Sequence, residues 1–203
     1  DRSVSRGLGD VYKRQILTIY KFLIKRISMK QKLYTSIGLL SGTSMDGVDI
    51  SIIQSDGQYE FNNILDSYFE YDLDLQEEFF RLRNLISNEN DLFKNSEELV
   101  NLERKITVFH AQKIKHILLE YKNEIDLIGF HGQTIFHDPQ KKITKQLGDG
   151  KLLSQLLKKK VVYDFRQKDI ENGGQGAPLT PIYHYLLSSI CLLYTSPSPR
   201  DTL

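Results

Sequence analysis

The stretch Tyr34–Gln54, YTSIGLLSGTSMDGVDISIIQ, decides how the chain is to be read. Tyr34–Leu40 is an apolar run of strand length, and Val48–Gln54 alternates Val48, Ile50 and Ile52 with polar residues, as a half-buried strand does. Between them lies SGTSMDGVD, Ser41–Asp49, a run of small and polar residues that closes the two strands into a hairpin. Tyr59–Tyr71, after the turn signal Ser55-Asp56-Gly57, reads as a third strand meandering back.

Beyond this meander the period changes. Leu75, Phe79, Leu82, Leu85 and Ile86 recur at helical spacing, and a long helix is expected over Glu97–Tyr121, burying Leu99, Leu102, Ile106, Phe109, Ile114, Ile117 and Leu118. Asp126–Phe130 suits a central parallel strand running into the loop HGQT. Ile143–Leu147 and Val161–Tyr163 are further strand candidates. Lys151–Lys158 reads as a helix, and so does Pro178–Ser189 after a Gly-rich turn. Three meandering strands followed by alternating helices and strands indicate an α/β domain with a mixed sheet.

Composition agrees with a globular chain: 203 residues, 40% hydrophobic, 26% charged, net charge +1 and one Cys. These values exclude a disulfide scaffold and a disordered chain. They give no reason to expect nucleic acid, and no apolar run is long enough to span a bilayer. The balance is uneven, however. Residues 1–32 hold nine Lys or Arg and two acids, leaving eighteen bases and twenty-four acids in residues 33–203. Lys21 interrupts the apolar stretch Ile16–Ile24 and no small-residue cleavage site follows, so the leader reads poorly as a signal peptide. Met29 is the expected native start. Residues 1–28 and 191–203 resemble translated adapter or vector sequence, which leaves 29–190 as the native region and gives Cys191 no bearing on redox compartment.

Candidate chemistry sits in four loops. In Ser41–Asp49, Gly42 and Gly47 allow close backbone approach or positive φ, Thr43 and Ser44 add hydroxyls, and several N–H groups can converge on an anion. Asp46 and Asp49 would repel a bare phosphate and fit Mg²⁺ held through water between them and the phosphates; an ordinary Asp-Gly hairpin turn is the alternative. No GxxxxGK[ST] run occurs, so a phosphate site here is not a P-loop. In the second loop, Gly129–Pro139 with HGQTIFHDP, His131, Gln133 and Thr134 offer donors and acceptors to sugar hydroxyls, against structural histidines as the alternative; His131 and His137 lack the further ligands that zinc needs. In the third, Leu147–Gly150, Asp149 either caps the next helix or its glycines admit a ligand. In the fourth, Tyr163–Pro181, Arg166 is a fork for a carboxylate or phosphate and Asp164 an acceptor for a hydroxyl; ion pairs of Arg166 with Asp164 or Asp169 are the alternative.

Taken together, IGLLSGTSMDGVD, IGFHGQT with HDP, QLGDG, and VVYDFRQKDIENGGQGAPLTP followed by His184 resemble the anhydro-N-acetylmuramic acid kinase family across about Ile37–Leu187. The resemblance implies a ribonuclease H-like lobe of the sugar kinase, heat-shock ATPase and actin superfamily. It implies a bacterial cytoplasmic enzyme that uses ATP and Mg²⁺ to open the 1,6-anhydro ring and phosphorylate the sugar to N-acetylmuramic acid 6-phosphate in peptidoglycan recycling. Its partner would be a small anhydro-amino sugar, with neither nucleic acid nor membrane involved and a homodimer open for the full-length protein.

Carried over by position, Gly42, Thr43, Ser44, Met45, Asp46, Gly47, Val48 and Asp49 match the ATP phosphate hairpin. His131, Gln133, Thr134, Asp164, Arg166 and Gln175 fall in loops expected around the sugar, and a bond from Arg166 to the lactyl carboxylate is the physical expectation. The resemblance stops near Leu187. A GxDxGPGN-type segment whose Asp resembles the general base does not occur here, so the chain is expected to be the first lobe of a two-lobed kinase, inactive alone. The competing readings are another sugar or acetate kinase of the superfamily and a non-catalytic module that holds a muropeptide sugar.

Overall fold

The computed structural model describes residues 32–58 and 60–191. All elements below belong to the compact unit that begins at Leu33. The expected leader 1–28 and the tail residues 192–203 lie outside the described residues.

The predicted meander is present. β1 (Tyr34–Leu40), β2 (Gly47–Ser55) and β3 (Phe61–Glu70) pair antiparallel, with Ile37 opposite Ile52 and Leu39 opposite Ile50. Alternation decides the faces: Ile37, Leu39, Val48, Ile50 and Ile52 are buried, while Gly38, Leu40 and Asp49 on the opposite side are exposed. Three helices follow, α1 (Leu73–Leu85), α2 (Glu89–Lys94) and α3 (Ser96–Glu120). The short α2 escapes the sequence reading because its six residues are too few to show a period and only Leu92 packs, partly buried, on the core; Asn88 caps it, accepting from the N–H groups of Asn90 and Asp91. α3 matches the expected long helix within a residue at each end, and Leu102, Ile106 and Ile114 join Phe79 and Leu82 of α1 and the inward strand residues in one hydrophobic cluster.

The chain then returns as β4 (Leu127–Phe130), which lies parallel to β1 with Ile37 beside Ile128. Asp126 anchors this return: its N–H donates to Thr35 O at 2.9 Å and its carboxylate accepts from Thr35 N at 2.9 Å. β5 (Gln133–Asp138) and β6 (Ile143–Leu147) form a separate antiparallel pair, then come α4 (Gly150–Leu157), β7 (Val161–Val162), α5 (Phe165–Glu171) and α6 (Pro181–Cys191). β7 lies parallel to β4, giving the five-stranded order β3-β2-β1-β4-β7.

Two expected loops are therefore regular structure. HGQTIFHDP contains β5, which pairs antiparallel with β6 across the turn at 139–142; it follows β4 after only His131 and Gly132, so no polar loop marks it as a separate strand. The DFRQKDIE stretch is helix α5; Asp164 precedes it with φ 62° and makes no side-chain cap, so the usual start signal is lacking.

The core predicts a sharp contrast along α3. Ile106→Ala, at a fully buried position, should lower unfolding free energy by about 2–5 kcal/mol, whereas Val100→Ala at an exposed position should stay within about 0.5 kcal/mol. Urea unfolding of the two variants measures the difference.

Candidate functional site

Because β1, β4 and β7 run parallel and adjacent, their carboxyl ends open on one edge of the sheet. Ligands of open α/β sheets collect at such an edge. The Ser41–Asp46 loop leaves β1, His131–Gln133 leaves β4, and Tyr163–Arg166 leaves β7. Hydrogen bonds tie the three together. Gln133 Nε2 donates to Gly42 O at 2.8 Å. Arg166 Nε donates to His131 Nε2 at 2.7 Å, and Arg166 Nη1 donates to Gly176 O at 2.7 Å, bringing in the Gly-rich turn.

The hairpin is braced from below. Ser41 Oγ donates to Gly47 O at 2.9 Å, and Met45 N to Gly42 O at 3.2 Å. Met45 carries the positive φ of this loop, 53°, and its side chain is fully buried, as is that of Val48. A ligand at the hairpin would therefore meet Met45 and Val48 through their backbone. Gly47 has neither the positive φ nor the open face that the sequence reading allowed. A Cβ there would stand 2.6 Å from the Tyr68 ring and would also strike Phe69 O, so this glycine is required by packing. Gly42, Thr43 and Ser44 are exposed, and the N–H groups of Thr43 and Ser44 make no hydrogen bond among the described residues. An anion fits such a cradle.

The neighbours of Asp46 raise its acidity. The Ser44 hydroxyl, donating to Oδ1 at 2.7 Å, holds its carboxyl below the usual range, helped by backbone N–H groups including Gly47 N at 3.1 Å. Asp49 projects from the exposed face of β2 opposite Tyr68 of β3. The Tyr68 hydroxyl is pushed up, first by desolvation and then by the carboxylates of Asp46, Glu70 and Asp49. Asp46 and Asp49 thus share one electrostatic neighbourhood.

On the β4 side, Gly132 turns the chain from β4 into β5 with φ +71°, and a Cβ there would lie 2.7 Å from Leu147 O. His131 Nδ1 donates to Gly132 O at 2.7 Å, which leaves Nε2 as the acceptor for Arg166. Burial holds the His131 pKa below its ordinary value, and the Arg166 guanidinium lowers it further against the Gly132 bond. The imidazole is neutral with a fixed tautomer.

Arg166 departs from both sequence readings. Nε and Nη1 are occupied within the protein, so the guanidinium does not present an open two-nitrogen fork, and its bonds go to His131 and Gly176 instead of Asp164 or Asp169. Asp169 accepts from Gly176 N at 2.7 Å and so holds the turn by another route. Asp164 is exposed and left-handed, a conformation that Asp adopts more readily than most residues, and its side chain makes no hydrogen bond among the described residues.

Gln133 is fully buried and Thr134 Oγ1 accepts from Gln146 Nε2 at 3.3 Å, so neither stands open to a sugar in this arrangement. Gln175 is exposed in the turn. His137 bonds Thr144 Oγ1 at 3.1 Å, a structural role. In the LGDG loop, Asp149 caps α4 by accepting from Lys151 N and Leu152 N, each at 2.9 Å. Gly148 and Gly150 lie against the rings of Phe130 and Tyr163, so their bare backbones serve packing and not a ligand.

Several supporting residues had no obvious signature. Arg83 of α1 donates to Thr43 O at 3.1 Å, and Tyr71 N to Asp46 O at 3.0 Å. The Tyr71 hydroxyl reaches His110 Nε2 at 3.4 Å and has Ser41 as a neighbour. His110 Nδ1 donates to Ile106 O at 2.7 Å. On the same helix, Glu103 accepts from Lys145 and Gly148 N, and Thr107 accepts from Asp149 N. Glu103, Thr107 and His110 are polar positions interleaved with the apolar stripe of α3, the one sequence signal that pointed to them.

The fold is of the actin-like ATPase type, a mixed sheet whose hairpin and strand ends share one edge. A family model described as anhydro-N-acetylmuramic acid kinase matches residues 34–190. Proteins named anhydro-N-acetylmuramic acid kinase are similar: one from Pelagibacter ubique is 58% identical over 157 residues, covering 77% of this chain and 42% of the relative. One from Agrobacterium fabrum is 41% identical over 158 residues, covering 76% and 42%. The chain belongs to the anhydro-N-acetylmuramic acid kinase family. It spans about 42% of the length of these curated relatives.

The support beneath the hairpin makes stability pH-dependent. Desolvation lowers the His110 pKa from 6.5 to about 4. Below pH 6.5 the unfolded chain binds a proton that the folded chain refuses until about pH 4, so this contribution is complete above pH 6.5 and is lost as pH falls across that window. The expected slope is up to about 1.4 kcal/mol per pH unit from this residue. Denaturant unfolding at pH 7, 6 and 5 should show it, and His110→Phe, which fits among Tyr71, Phe109 and Phe130, should flatten it.

Proposed function

We propose that this chain forms the nucleotide- and sugar-holding lobe of an ATP-dependent kinase of 1,6-anhydro-N-acetylmuramic acid. The whole enzyme would couple opening of the anhydro ring to phosphorylation, giving N-acetylmuramic acid 6-phosphate, in the bacterial cytoplasm. The observation that supports this reading is the bonded series Gly42–Gln133 and His131–Arg166–Gly176, which ties the hairpin, the end of β4 and the Gly-rich turn together on one sheet edge.

The parts divide as follows. The N–H groups of Thr43 and Ser44 receive phosphate oxygens, and the Ser44 hydroxyl keeps Asp46 ionised. Asp46 and Asp49 are the carboxylates that would hold Mg²⁺ through water. The described residues contain no group of three or more His, Cys, Asp or Glu placed to hold a metal. When bound, Mg²⁺ neutralises phosphate charge in the transfer. On the other side, Asp164 accepts from a sugar hydroxyl, Gln175 lines the turn, and the remaining Arg166 nitrogen, Nη2, donates to the lactyl carboxylate while Nε fixes His131. Positioning of this kind accounts for most of the catalytic effect in phosphoryl transfer.

Calorimetric titration of the 203-residue chain with MgATP and, separately, with 1,6-anhydro-N-acetylmuramic acid tests the division. Both should bind. Arg166→Ala should weaken the sugar at least about tenfold, the loss of one charge-assisted bond, and change the nucleotide little. Equal losses for both ligands contradict it.

A further inference from the structure

Gln133 is the least expected feature of the edge. Its side chain is fully buried, its Nε2 donates to Gly42 O at 2.8 Å, and its Oε1 is buried with no partner. The amide orientation follows from chemistry, since turning it over would set Oε1 against a carbonyl oxygen. A buried, unpaired acceptor opposes folding, and an apolar side chain of the same length would remove that cost. Gln133 is thus poorly suited to stability and well placed for geometry. Its backbone is fixed as the first residue of β5, opposite Leu147, and from there the amide reaches the loop that leaves β1. The Gly42 carbonyl it holds is the one that also accepts Met45 N, closing the turn that displays the N–H groups of Thr43 and Ser44.

We infer that Gln133 is a positioning residue that fixes the phosphate hairpin from the sugar-side segment and does not itself contact the sugar. This rests on the reading of the hairpin as a nucleotide cradle. It makes hairpin order depend on the β4–β5 junction, so that the two halves of the edge are set by a single amide.

The test compares the full chain with Gln133→Met, an apolar residue of similar length. Amide hydrogen exchange is followed by NMR at Met45, whose N–H bonds the same Gly42 carbonyl, with Ile106 and Ala111 of α3 as internal controls. Exchange in the hairpin should rise at least tenfold while the controls and the melting temperature stay level or improve. Unchanged hairpin exchange, or a rise shared equally by the α3 controls, overturns the inference, because either result reduces Gln133 to general stability. Should Gln133→Met fail to fold, the wild-type chain decides: slowly exchanging Gln133 side-chain NH₂ protons with a cross-hydrogen-bond coupling to the Gly42 carbonyl support it, and rapid exchange without that coupling overturns it. These readouts need no ligand. A failure of the wild-type chain to bind MgATP would count against the nucleotide reading and leave the exchange result standing.

Discussion

Parallel pairing of β4 with β1 is the constraint on which the rest depends. Ile37 beside Ile128 and Leu39 beside Phe130 set β4 in register with the centre of the sheet, and Asp126 closes the start of that register through both its N–H and its carboxylate on Thr35. Because β7 then adds parallel to β4, the three chain segments that follow these strands must emerge side by side. The antiparallel β2 contributes the returning arm of the hairpin at the same edge. A shift of one residue would exchange inward Ile37 and Leu39 for outward Gly38 and Leu40, so burial of one face enforces the alignment.

The site gains its shape from polar groups placed under it by helix α3. Glu103 and Thr107 receive the backbone of Gly148 and Asp149, and His110 receives the Tyr71 hydroxyl above Ile106. These groups are largely paired, which makes their burial tolerable in a low-dielectric interior. Tyr71 carries the support onward to Asp46 through its N–H. The hairpin thus rests on a helix far from it in sequence, and the loops beside it rest on the same helix a turn or two earlier.

Much of this was legible in the sequence. β1, β2, β3, α1, α3 and the β4, β6 and β7 positions follow from period and length, because each buries a face that repeats at its own spacing. β5 and α5 did not, since β5 follows β4 after only His131 and Gly132 and α5 begins after a left-handed Asp164 with no cap. The hairpin itself was legible from its small residues, yet the reasons for its glycines were not: Gly47 yields to Tyr68 and Phe69, and Met45 takes the positive φ. Arg166 looked like a free fork and Gln133 like a sugar contact. Their burial and internal bonds arise from tertiary neighbours that no local pattern displays.

The most direct measurement is ligand-induced amide shift mapping on the isotopically labelled 203-residue chain. A single edge serving both ligands predicts that MgATP perturbs Gly42–Gly47 and that the anhydro sugar perturbs His131, Asp164–Arg166 and Gly174–Gly176. The two sets should meet at Gln133. Perturbations confined to the β5–β6 turn at Asp138–Lys142, or to the opposite end of the sheet at Ser55, Asp56 and Gly57, would contradict it.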